Sequence, residues 1–154
     1  MDWPALYKTI GLCLISIIIE AISANKEGKK WFESLKQPKY SFSLVFWYVI
    51  GGLYYLICGV IAYRLFHQGA DIFALPVILL TLIMIFNGLG NFILFKFRSL
   101  KMFYLVIYPF ALLLAVLVAV LYQTDKFSAG LACVYLIWLI YDLYYLRNLW
   151  KLNR

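Results

Sequence analysis

The sequence has 154 residues, of which 66% are apolar and 14% are charged, and its formal net charge is +7. So apolar a composition excludes an ordinary soluble globular domain and predicts a membrane protein. The excess of Lys and Arg needs no nucleic-acid partner, because membrane topology and anionic lipid account for it.

Five apolar segments follow one another along the chain, and each is long enough to cross a bilayer as a helix. They cover approximately residues 5–24, 43–66, 72–95, 101–123 and 127–150. The middle three contain uncharged runs longer than the roughly 20 residues that span about 30 Å of hydrocarbon. The first and fifth are interrupted by Glu20 and Asp142, but aromatic and cationic residues near their ends suit a membrane interface. We therefore predict an all-α integral membrane protein, a single bundle of five transmembrane helices.

The first span ends near Glu20, and the first loop, residues 25–42, contains the run WFESLKQP. A carboxylate at membrane depth needs a partner, a cavity or water. Glu20 is therefore either an interfacial residue beside the loop or a group that faces the interior. The loop itself is either a solvated connection or one wall of a site.

The second span is rich in aromatic residues and glycine. Trp47, Tyr54 and Tyr55 lie well within it, where their rings either pack in the core or offer flat surfaces to a planar apolar ligand. Gly51 and Gly52 allow either close helix packing or access of a ligand.

Polar residues mark the third and fifth spans. Asn87 and Asn91 lie four residues apart, so they share one helix face and either bond between helices or line an interior surface. The fifth span carries Trp138 and Tyr141 beside Asp142, whose charge interrupts the apolar run. An ionisable residue at this depth is a candidate functional group.

No motif of a soluble enzyme occurs in the sequence. His67 is the single histidine and is predicted to lie at the surface. Cys13, Cys58 and Cys133 all fall within spans without C-x-x-C spacing, which is typical of buried packing residues. We therefore assign no catalytic residue, no metal ligand and no cofactor, and we expect a binding protein rather than an enzyme.

Lys and Arg are divided unequally between the two sides that five spans define. Eleven of the 14 fall in the first loop, the third loop and the carboxyl-terminal segment, whereas only Lys8, Arg64 and Lys126 fall on the other side. The first loop and the carboxyl terminus are therefore predicted to be cytoplasmic.

Three motifs occur in a recognisable order along the chain. They are WFESLKQP at residues 31–38, the pattern N-x7-F-x2-R formed by Asn87, Phe95 and Arg98, and YLIWLIY at residues 135–141. In this order they resemble the translocator protein family, also called tryptophan-rich sensory proteins or peripheral-type benzodiazepine receptors.

The resemblance implies five packed helices around a pocket that opens toward the cytosol, with the first loop as its lid. It also implies a homodimer that binds a porphyrin, a sterol or a related planar hydrophobic molecule. We expect the protein to reside in a bacterial or archaeal plasma membrane. Light-dependent porphyrin degradation and small-molecule transport are the alternatives. The candidate ligand-binding residues are Trp31, Leu35, Pro38, Tyr55, Asn87, Tyr135, Trp138, Tyr141 and Asp142.

The sequence departs from the pattern of that family at several pocket positions. Gly51, Gly88 and Gly90 stand where the family is expected to have Trp, which predicts an enlarged or reshaped cavity. Asp142 stands at the position of a small residue. A carboxylate there disfavours an anionic porphyrin and favours a cation or a hydrogen-bond donor.

Overall fold

The structure is a computed structural model that describes residues 2–23 and 26–154, and its regular secondary structure in these ranges is helical. The helices are α1 (Trp3–Ser23), α2 (Lys26–Ser34), α3 (Leu44–His67), α4 (Leu75–Lys96), α5 (Leu100–Thr124) and α6 (Lys126–Leu152). All except α2 are long and apolar enough to cross a membrane. The predicted fold class, an all-α bundle with five membrane-spanning helices, is confirmed.

Side chains that cap the backbone set several helix boundaries. The hydroxyls of Ser43 and Ser99 accept hydrogen bonds from backbone N–H groups in the first turns of α3 and α5, each at 3.3 Å. The third span, predicted to begin at residue 72, begins as a helix at Leu75. Pro76 lies in its first turn, where a missing N–H costs nothing.

Helix α2 was not foreseen, because the sequence analysis treated the first loop as a connection or a lid and assigned no helix to it. It is short and strongly charged, yet one face buries Gly28 and Phe32 against the bundle. A helix of 9 residues is marginal in isolation, so contact with the bundle stabilises it.

The five long helices form a closed ring. Going around it, α1 packs on α3, α3 on α6, α6 on α5, α5 on α4, and α4 on α1, while α2 lies against α4. The ring has two unlike halves. The half far from the first loop is filled by aliphatic side chains that are at most 3% exposed, among them Ile61, Leu65, Leu80, Leu117 and Leu121.

An ion pair closes the filled half where α3 ends and α6 begins. Arg64 donates from Nε and Nη2 to the two carboxylate oxygens of Asp125, at 2.7 and 2.9 Å. Asp125 also caps α6 by accepting the N–H groups of Phe127 and Ser128, and the Ser128 hydroxyl at 2.6 Å. The Arg64 guanidinium, with help from Ser128, holds the pKa of the Asp125 carboxyl well below its ordinary value.

Candidate functional site

The half of the ring nearest the first loop contains a partly open cavity of about 360 Å³. Its walls come from the last turns of α1 and α4, the first turns of α3 and α5, and the middle of α6. Phe32 of α2 reaches it from the first loop.

One face of α3 forms an aromatic wall with a gap in it. Trp47, Gly51 and Tyr54 are spaced by four and three residues, so they lie above one another on this face, and all three line the cavity. A Cβ atom built on Gly51 would meet nothing within 4 Å. The glycine therefore leaves open space between the two rings.

The facing wall belongs to α6, where Tyr135, Trp138, Asp142 and Tyr145 recur at helical spacing and line the cavity. Two ring pairs join the walls. The Trp47 and Trp138 centroids are 5.6 Å apart and nearly perpendicular, and the Tyr54 and Tyr135 centroids are 4.9 Å apart. Both separations fall within the range of favourable aromatic contacts.

A polar network occupies the wall at α1. The carboxylate of Glu20 accepts hydrogen bonds from the Tyr55 hydroxyl and, at 2.9 Å, from the Asn91 amide. The Tyr55 hydroxyl also lies 3.3 Å from the hydroxyl of Ser16, which donates to the Met84 carbonyl at 3.0 Å. Of the two alternatives for Glu20, the structure shows the inward one.

Three polar groups on the other walls have no partner among the described residues. The indole N–H of Trp47 and the hydroxyl of Tyr54 are buried without a hydrogen bond, although the Cys58 thiol lies near the latter. Asp142 is half-buried, and its carboxylate makes no hydrogen bond or ion pair with a described residue. All three residues line the cavity.

The first loop covers this end of the bundle and is held at several points. Arg98 donates to the Glu27 carboxylate at 2.7 Å, which ties α2 to the turn between α4 and α5. Asn153 at the end of α6 bonds both backbone groups of Lys36, at 2.9 and 3.0 Å. Tyr145 donates to the side-chain oxygen of Gln37 at 2.8 Å.

The structure brings five of the nine predicted site residues together at the cavity: Tyr55, Asn87, Tyr135, Trp138 and Asp142. The other four do not line it. Trp31 and Leu35 are half-buried and pack against the core. Pro38 and Tyr141 border a separate, shallower groove of about 390 Å³ between the first loop and α6.

Sequence reasoning did not select Phe32, Glu20, Trp47, Tyr54 or Asn91 for the site. The last three had been noted as aromatic or amide candidates. Phe32 follows Trp31 directly, and its ring meets that of Phe95 at 5.9 Å. The helical phase of α2, which no local pattern reveals, decides which of the two neighbouring rings points inward.

The glycines that stand at expected Trp positions do not all enlarge the cavity. A Cβ on Gly88 would lie 2.7 Å from the Ile19 side chain, and a Cβ on Gly90 would lie 2.9 Å from the Phe103 ring. At these two positions neighbouring side chains fill the space that a larger residue would occupy. Only at Gly51, of the three, is the space open.

Comparison with known proteins gives one family. The sequence model described as the TspO/MBR family matches residues 9–151, nearly the whole chain. No curated protein matches the sequence.

Proposed function

Because the chain belongs to the TspO/MBR family, we propose that it is a sensor-type membrane receptor that captures a planar hydrophobic molecule in the cavity beneath the first loop. The resemblance inferred from the three sequence motifs is confirmed by the match. Membership supports, at the level of the family, a membrane role in binding hydrophobic ligands such as sterols or porphyrins.

The cavity is the observation that carries this proposal. Its volume of about 360 Å³ falls within the roughly 300–1,000 Å³ of small-molecule sites, at the lower end. Like such sites, it combines mainly apolar and aromatic walls with a few polar groups. Rings from α3 and α6 provide flat surfaces on which a planar molecule stacks.

The proposal includes a role for the first loop as a lid. Phe32 contacts the cavity, while Gln37 bonds Tyr145 of the cavity wall, so a bound molecule touches the loop directly and through α6. The ligand-binding roles of Trp31, Leu35, Pro38 and Tyr141 stay predictions. Because these residues do not line the cavity, they would act on a ligand indirectly, through the loop and its contact with α6.

The proposal also includes a homodimer whose first loop and carboxyl terminus face the cytoplasm of a bacterial or archaeal cell. The family resemblance supports the dimer, and the distribution of Lys and Arg supports the orientation. Native mass spectrometry of gently purified protein reports both the number of subunits and any retained small molecule.

The binding site is tested by replacing one indole inside the cavity and one outside it. Purified protein in lipid nanodiscs is titrated with protoporphyrin IX and with a sterol. We expect Trp138→Ala to weaken the binding of any probe that wild type binds by about tenfold, because an aromatic surface of the site is lost. Trp3→Ala is the matched control, since Trp3 is 53% exposed at the start of α1.

A second variant fills the cavity instead of enlarging it. Gly51→Trp places an indole in the open space of the α3 wall, and we expect it to abolish binding while the protein stays folded. Equal affinities for wild type, Trp138→Ala and Gly51→Trp would contradict the proposed site.

A further inference from the structure

We propose that the cavity selects a planar aromatic cation, whose charged nitrogen pairs with the carboxylate of Asp142. This inference rests on the proposed function and specifies the class of ligand that the same cavity takes. It differs from binding of an anionic porphyrin, which carries carboxylates of its own.

The charges on the walls have one sign. Glu20 and Asp142 are carboxylates that line the cavity, and its described lining includes no Lys, Arg or His. Asp142 lies ten residues before the end of α6, or about 15 Å along the helix axis at 1.5 Å per residue. Ionisable groups so far inside a span mark functional sites, and one of their roles is to act as the counter-ion of a bound ligand.

The two carboxylates differ in what they already bind. Glu20 accepts hydrogen bonds from Tyr55 and Asn91, so much of its capacity is used within the protein. Asp142 has no such donor among the described residues. A cation that enters the cavity therefore gains most from Asp142, because no described side chain already offsets the partial burial of that carboxylate.

Two further groups indicate that the space is built for a polar molecule. Tyr54 is 2% exposed, and apart from the nearby Cys58 thiol its hydroxyl has no partner among the described residues; the Trp47 indole N–H has none among them either. Buried polar groups are almost always paired. Unpaired groups on both α3 and α6 around one cavity are explained by a ligand with polar edges as well as an apolar body.

The rings near Asp142 suit a cation. On α6 Trp138 and Tyr145 lie four residues before Asp142 and three after it, so they flank it on one face. On the facing helix α3, the centroid of the Trp47 ring lies 5.6 Å from that of Trp138 and 4.9 Å from that of Tyr145. Aromatic faces attract a positive charge, most strongly where water is excluded. The same walls repel an anion through the two carboxylates.

The test uses three anthracenes that share one ring system and differ in charge. They are 9-(aminomethyl)anthracene, which is a cation at neutral pH, anthracene-9-methanol, which is neutral, and anthracene-9-carboxylate. Each is titrated into protein in phosphatidylcholine nanodiscs, and binding is followed by energy transfer from protein Trp to the anthracene. Empty nanodiscs measure partition into lipid.

We expect wild type to bind the cation at least tenfold more tightly than the alcohol and the carboxylate most weakly. Asp142→Asn keeps the shape of the side chain and should remove the preference for the cation, while the affinity for the alcohol changes less than threefold. Asp71→Asn is the matched control, because it removes an exposed carboxylate between α3 and α4, and it should keep the full preference.

Failure of the inference and failure of the proposed function give different results. Equal binding of the three probes by wild type, or a preference that survives in Asp142→Asn, overturns the cation site and leaves the cavity as a binding site. Loss of the preference in Glu20→Gln instead of Asp142→Asn overturns the assignment to Asp142. Failure of all three anthracenes, of protoporphyrin IX and of the sterol to bind overturns both.

Discussion

Asp125 joins three parts of the chain through one carboxylate. It caps α6, accepts the hydroxyl of Ser128 and holds the guanidinium of Arg64 from α3. Its side chain is only 4% exposed. Loss of its charge therefore affects the closed end of the bundle and not the cavity.

The lowered pKa of Asp125 predicts how the stability of this end depends on pH. Because the pKa is lower in the folded than in the unfolded protein, the ionised group stabilises the fold fully above the ordinary value of 3.8. This contribution is lost as the pH falls from there through the folded pKa. Asp125→Asn keeps a capping side chain, and we expect it to cost about 1 kcal/mol at pH 7 and progressively less below pH 3.8.

Thermal unfolding in detergent between pH 7 and pH 2 measures this difference. Arg64→Met removes the partner of the same carboxylate, so it should reduce the same pH-dependent contribution. A constant difference between wild type and Asp125→Asn over the whole range would show that the charge of Asp125 does not stabilise the fold.

Single residues show where sequence reasoning stopped. Glu20 was recognised as a polar group at membrane depth, but its partners Tyr55 and Asn91 lie 35 and 71 residues away in the sequence. Only the packing of three helices decides that it points inward. Gly88 and Gly90 were expected to enlarge the cavity, but the side chains of Ile19 and Phe103 fill the space beside them. These contacts also depend on helix packing.

At the scale of elements, the first loop is the segment that the sequence described least well. The motif WFESLKQP indicated the family, and Phe32 of this loop lines the cavity, but helix α2 and its phase depend on contact with α4. The long helices were predictable because hydropathy over about 20 residues is a strong signal. The order of the helices around the ring was not, since all five are apolar on most faces.

The hydrogen bonds of Asn153 are expected to restrain local opening of the first loop. Its side chain bonds both backbone groups of Lys36, and we expect Asn153→Ala to raise local opening of the loop about tenfold, because two hydrogen bonds are lost. Trypsin cleavage after Lys36 and Lys39 in the folded protein measures this opening.

The control for this variant lies on the same helix. Asn148 donates to the carbonyl of Tyr144, four residues earlier in α6, at 2.9 Å. Asn148→Ala therefore removes an amide without releasing the loop and should leave the cleavage rate near that of wild type. Equal rates for the two variants would mean that the Asn153 bonds do not restrain the loop.

At the scale of the whole molecule, a chain with an odd number of spans has its two ends on opposite sides of the membrane. The first loop and the turn between α3 and α4 must also lie on opposite sides, because α3 crosses once between them. The excess of Lys and Arg beside the first loop predicts that this loop is the cytoplasmic one.

Cysteine labelling tests this orientation. Glu33→Cys and Asp71→Cys are made in a background in which Cys13, Cys58 and Cys133 are replaced by Ala. Glu33 and Asp71 are both exposed, on opposite sides of the membrane. A membrane-impermeant maleimide added to intact cells should label the cysteine at position 71, and the one at position 33 only after permeabilisation. The reverse pattern would invert the proposed topology.

The ring of helices contains the cavity at the end near the first loop and is filled by side chains at the end near Asp125. Amide hydrogens at the cavity end therefore exchange with solvent through easier local openings than those at the Asp125 end. A ligand adds its binding free energy only to conformations in which the cavity is intact. It therefore slows local opening at the cavity end and leaves the end at Asp125 unchanged. If the cavity is the binding site, occupancy therefore slows exchange in the first loop and at the cavity end more than at the Asp125 end, without any large movement of the helices.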